Sequence, residues 1–197
     1  VDNVKQASKT EFDEHLAEIA SHVKPARFVI GTSTAGWTAA DCDYLCDGTA
    51  DQTEINAAIT ALPATGGEIV ILDGTYNITA KIDVTKDNVS IRGNGKSTCL
   101  SKKWNATDGT ITVTSKYCSI RNIYFYGNDS QPFETNAGIY LSVGADSSII
   151  NNNWFENFEC GVHVLSSHNS ISSNVCHVLP TDGYGIILKS SSDNIII

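Results

Sequence analysis

The chain has 197 residues, 41% of them hydrophobic, enough for one good-sized core or a core with an appendage. A formal charge of −9 and a pI near 4.8 exclude the basic face that a nucleic-acid partner or an anionic lipid surface requires. No apolar run approaches the ~18 residues of a membrane span, so membrane insertion is not expected.

The first element is a helix over SKTEFDEHLAEIASHVKP, residues 8–25. Ser8 and Glu11 have capping-box spacing, and Pro25 is a stop. Phe12, Leu16, Ile19 and Val23 step by 4, 3 and 4, the a/d alternation of a coiled coil. Residues 1–26 therefore read as a helical stalk or joint. Two heptads are marginal alone, so an oligomerising stalk and a helix folded onto its own domain both stay open. Residues 27–65 read as a connecting segment and a capping helix, beginning with a strand over 27–30 and a turn. In DGTADQTEINAAITAL, residues 47–62, Asp51 and Glu54 form a second capping-box spacing. Ile55, Ala58, Ile59 and Leu62 make one apolar stripe, and Pro63 with Gly66 and Gly67 ends the helix.

From residue 66 to 197 the chain repeats. KIDVTKDNVSIRG, TITVTSKYCSIRNIYF, GIYLSVGADSSIINNNWF, GVHVLSSHNSISSNVC and GIILKSSSDNIII each carry a short alternating strand, a polar bend and a second strand containing Ile. First-strand anchors are Ile82, Ile111, Ile139, Val162 and Ile186; second-strand anchors are Ile91, Ile120, Ile150, Ile171 and Ile195. Such short strands bury a face only when stacked, as in a solenoid where each turn adds a strand to every sheet. Alternation places Ile139, Leu141, Val162, Val164, Ile186 and Leu188 inside, and Tyr140, His163 and Ile187 outside. Asn153 and Asn174 share an offset, suiting αL bends and an Asn ladder between turns. Two positions later Phe125, Phe155 and Cys176 belong inside. The expected fold is all-β, a parallel β-helix.

A β-helix exposes strand edges and core at its ends, and the helix over 51–62 is placed to cover one of them. The chain opens on Val, lacks Met and stops in mid-pattern at Ile197, so further turns, another domain or another subunit are expected to follow. The six cysteines lack zinc spacing. They read chiefly as buried thiols, with one or two disulfides as the alternative. Asp41, Asp43, Asp47 and Asp51 invite a calcium reading, but the loop lacks an EF-hand pattern and the acids read as turn and cap residues. No metal or other cofactor is expected.

The order DGTADQTEINAAITALPATGG, then ILDGTYNIT, then IDVTKDNVSIRGNGKSTCL resembles the entry segment of the pectate lyase-like, right-handed β-helix proteins common in bacteriophage tail spikes and tail fibres. The resemblance covers roughly residues 43–100; the remainder matches as generic repeats. Right-handedness agrees with the general crossover preference. The 8–25 segment looks like the helical joints that precede receptor-binding modules of phage tails, which implies a homotrimer. The resemblance implies a structural and receptor-binding module at the virion tail or otherwise extracellular, recognising host cell-surface polysaccharide. The alternative is a polysaccharide lyase or glycoside hydrolase of the same shape.

For chemistry, Arg92 and Arg121 each follow an anchor Ile and read as outward strand residues. Glu156 and His177 fall on neighbouring turns, one position past Phe155 and Cys176, and are the best acid/base pair; a solvated surface pair is the plainer reading. Tyr124 and Trp154 share an outward offset, as do Tyr140 and His163 on another sheet. Rings ~4.8 Å apart per turn could pack against pyranose rings. Packing between subunits is the competing reading.

Overall fold

A computed structural model describes residues 26–104, 108–127, 136–177 and 183–197. The helix expected over 8–25 lies outside the described residues. Strands β1 (Arg27–Thr32) and β2 (Tyr44–Cys46) precede helix α1 (Gln52–Ala61), and β3 (Gly67–Ile71) and β4 (Gly74–Ile78) follow it. Then come β5 (Ile82–Val84), the long β6 (Val89–Lys102), β7 (Ile111–Val113), β8 (Ser119–Tyr126) and β9 (Ala137–Leu141). Short strands complete the chain: β10 (Ile149–Asn151), β11 (Trp154–Glu156), β12 (Cys160–Val164), β13 (Ser170–Ser172), β14 (Val175–His177), β15 (Tyr184–Leu188) and β16 (Ile195–Ile196).

Among the described residues every strand pair is parallel, and the strands form two sheets. The smaller runs β5-β7-β9-β12-β15; the larger runs β2-β1-β3-β6-β8-β10-β13-β16, with β4 joined to β6, and β11 to β8 and β14. From β5 onward, neighbours in each sheet are one repeat apart in sequence. All five first-strand anchors stand in register, Ile82, Ile111, Ile139, Val162 and Ile186. So do Ile91, Ile120, Ile150 and Ile171. In the last repeat the register partner of Ile171 is Ile196, not the expected Ile195. The left-handed bend at Asp193 falls three residues before Ile196, as His168 precedes Ile171 and Tyr117 precedes Ile120. The bend therefore fixes which Ile faces the core.

Stacking like on like gives the core its order. Phe125 and Phe155 are register partners with rings stacked at 5.0 Å, and Cys176 continues the row. Gly138 and Gly161, just before two anchors, make room for them: a Cβ on Gly138 would lie 2.3 Å from Phe155 Cδ1. Ile139, Leu141, Val162 and Val164 are fully buried. Leu188 belongs to the same inward row yet is 44% exposed, because among the described residues β15 has a strand partner on one side alone.

The expected capping box at Asp51 does not form. Asp51 is itself helical, and its buried carboxylate accepts the N–H groups of Gly48 at 2.8 Å and Asn77 at 2.7 Å, tying the helix entrance to β4. The helix docks through amides at i and i+4 instead. Gln52 accepts the N–H of Thr79, while Asn56 accepts the N–H of Asp83 and donates to the carbonyl of Lys81. Asn56 thus bonds the outer edge of β5 as a neighbouring strand would, and Ile55, Ala58 and Ile59 enter the core. The described cysteines are all free thiols.

Candidate functional site

The outward row Tyr124 and Trp154 exists, with the two residues in direct register across β8 and β11. The row is not bare. Between its paired residues Arg92 and Cys99, β6 has six residues where β8 has two: Arg92 pairs with Arg121, Gly95 with Ile123 and Cys99 with Tyr124. The surplus residues bulge outward, closed at the base by the Asn94 N–H donating to Thr98 Oγ1 at 2.9 Å. Lys96 rides on this bulge. Its Nζ stands 3.4 Å from the Trp154 ring centroid and 5.6 Å from that of Tyr124, a cation–π contact with both. Beside it lies a groove of about 220 Å³ lined by Gly95, Lys96, Asn152, Trp154, Ser173 and Val175, among others.

Glu156 and His177 are register partners on β11 and β14. Their side chains share no hydrogen bond or ion pair among the described residues. The Glu156 carboxylate instead accepts the Tyr124 hydroxyl at 2.9 Å. Desolvation first, then that carboxylate, pushes the Tyr124 phenol above its ordinary range. The arrangement orients Tyr124 and Glu156 as one polar unit beside the Trp154 ring. It offers hydrogen-bond donors and acceptors next to an aromatic face, the chemistry that recognises sugar hydroxyls and ring carbons together.

Tyr140 and His163 pair across β9 and β12, edge to face at 5.2 Å. The expectation that His163 faces solvent is corrected: it is 8% exposed, covered in part by Tyr140 and flanked in register by Ile187. That row is therefore not an open ladder. Arg92 and Arg121 are outward, as expected, and both lie against Glu68. The acids that invite a calcium reading serve the backbone: Asp41 binds Thr38, Asp43 accepts the Val29 N–H, and Asp47 accepts the Thr49 N–H. Cys46, Asp51 and Glu54 lie together near the helix entrance, with Asp51 already committed to Gly48 and Asn77.

Two contributors escaped sequence reading. Lys96 sits in a GNGKST stretch that looks like a simple turn, and only the mismatch between β6 and β8 carries it over the aromatic row. Trp37 follows the short 3-10 turn Ser33–Ala35 and is fixed by its indole N–H donating to the Asp73 carbonyl at 2.7 Å, a contact across 36 residues.

No family model and no curated protein matches the chain. A solved structure, ORF18 of Geobacillus virus E2, is similar, with a TM-score of 0.59 and 16% identity over 87% of this chain and 34% of that one. At that identity the likeness is one of fold. The chain spans about a third of the length of that protein.

Proposed function

We propose that the chain is a right-handed parallel β-helix serving as a structural and receptor-binding module of a phage tail spike or tail fibre, assembled as a homotrimer and recognising host cell-surface polysaccharide. The observation that carries the binding reading is the Tyr124–Trp154 row with its coupled Glu156 and its adjoining groove. The shared fold with a phage protein supports the setting, as does the entry motif over residues 43–100. Lys96 occupies the ring face a pyranose takes. Binding exchanges that contact, worth about 0.5–1 kcal/mol at an exposed site, for a broader apolar one.

The test is retention of the intact chain on immobilised capsular and cell-wall polysaccharides, comparing wild type with Trp154→Ala and Lys96→Ala. Trp154→Ala is expected to weaken binding at least tenfold, and Lys96→Ala to strengthen it by removing the competing cation. Equal binding by wild type and Trp154→Ala would sink this site. New reducing ends or unsaturated uronates released from the bound polysaccharide would favour the lyase or hydrolase alternative, with Glu156 and His177 as first residues to replace.

A further inference from the structure

The chain has three arginines, Arg27, Arg92 and Arg121, and all three converge on one carboxylate. Glu68 Oε2 lies 3.2 Å from Arg27 Nε, and Glu68 Oε1 lies 2.8 Å from Arg92 Nε and 3.7 Å from Arg121 Nη2. The strand order makes this so: β3 is flanked by β1 and β6, and β6 by β8. Arg92 and Arg121 are direct register partners, a like-charge pair that is unfavourable unless compensated. One shared carboxylate compensates in part. Because Arg27 and Arg92 meet Glu68 through Nε, their Nη groups remain as donors with no hydrogen bond among the described residues. Even with Asp73 counted, three guanidinium groups outnumber two carboxylates, on a chain whose net charge is −9.

Two of these arginines, Arg27 and Arg92, border a groove separate from the Trp154 row, on the other flank of the β6 bulge. Its volume is about 350 Å³, within the range of small-ligand sites, and Arg27, Trp37, Asp73, Arg92 and Asn94 line it. The groove is held in shape before any ligand arrives. Trp37 is fixed by the Asp73 carbonyl, and the Asn94 amide donates to the Asp73 carboxylate at 3.0 Å. Each wall matches one part of an acidic sugar. Guanidinium forks take a carboxylate, the indole takes a pyranose face, and Asp73 and Asn94 take hydroxyls.

We infer that this groove binds a carboxylate-bearing pyranose, a uronic-acid residue of an acidic polysaccharide, an inference that rests on the polysaccharide reading for the larger molecule carrying that sugar. The test uses the intact chain with a glucuronic acid trisaccharide, its neutral glucose counterpart and sodium sulfate. Binding is read by calorimetry and by the Trp37 indole N–H resonance. The uronate is expected to shift Trp37 saturably and to bind at least tenfold tighter than the neutral sugar, while sulfate leaves Trp37 unmoved. Arg92→Gln is expected to lose tenfold or more, and Arg92→Lys less. Equal affinity for the neutral sugar, indifference to Arg92→Gln, or sulfate binding as tightly as the uronate would each overturn the inference. Uronate binding here by a chain that retains no polysaccharide would keep this site and sink the receptor reading. Polysaccharide retention lost with Trp154 but indifferent to Arg92 and to uronate would do the reverse.

Discussion

Asn153 shows how one side chain can serve two turns of chain at once. Its amide donates to the Ile120 carbonyl at 2.9 Å and to Asn174 Oδ1 at 3.1 Å, and it accepts the Ile123 N–H at 3.2 Å. The expected ladder is present, but the left-handed bends fall one residue earlier, at Asn122, Asn152 and Ser173. A second ladder, Asn169 to Asn194, was not anticipated. The thiols carry a prediction of their own. Burial pushes Cys99 and Cys176 up to about 11 and Cys160 up to about 12, and raises Cys46 and Cys118 as well. A thiol that holds its proton in the fold gives stability that is complete below pH 9 and lost as pH rises from there, when the unfolded chain ionises first. Lys102, buried and pushed down to about 8, acts in the opposite sense between there and its ordinary 10.5. Five thiols oppose one lysine, so the urea midpoint is expected to fall between pH 9 and 11. A midpoint that is flat or rises over that range would contradict the assignment.

At the scale of elements, the helix and the β6 bulge do the positioning. Sequence period correctly gave α1 an inward face of Ile55, Ala58 and Ile59, since that stripe depends only on local spacing. It could not show that Asn56 bonds the edge of β5, a contact made with residues 25 and 27 positions away. Asn56→Ala leaves the Asp83 N–H and the Lys81 carbonyl unpaired beside the core and is expected to cost about 2 kcal/mol in urea unfolding. Thr60→Ala, on the exposed side of the same helix, is expected to change stability by less than about 0.5 kcal/mol. Equal effects from the two substitutions would mean the helix is held by its apolar stripe alone.

For the whole molecule, parallel stacking concentrates what the sequence disperses. Residues about one repeat apart become neighbours, so a row of outward side chains is a ladder and any mismatch between turns becomes a bulge at the surface. No helix among the described residues is long and apolar enough to cross a membrane. The proposed homotrimer is checked by light scattering on the intact chain and on a chain lacking residues 1–25. Three times the chain mass, falling to the single mass on truncation, is expected. A single mass in both would remove the stalk and leave the outward rings to ligand alone.

The sequence by itself determined the inward rows, the period and the place of the helix, because alternation and 3.6-residue spacing are local consequences of backbone geometry. The stacking of Phe125 on Phe155 and the Asn153 ladder were legible for the same reason, once the repeats were aligned. The tertiary structure alone decided which outward groups are open. Whether Lys96 covers Trp154, whether His163 is closed off beside Tyr140 and whether three arginines share Glu68 all depend on register between strands. Register is set by bends and bulges far from the residues they bring together.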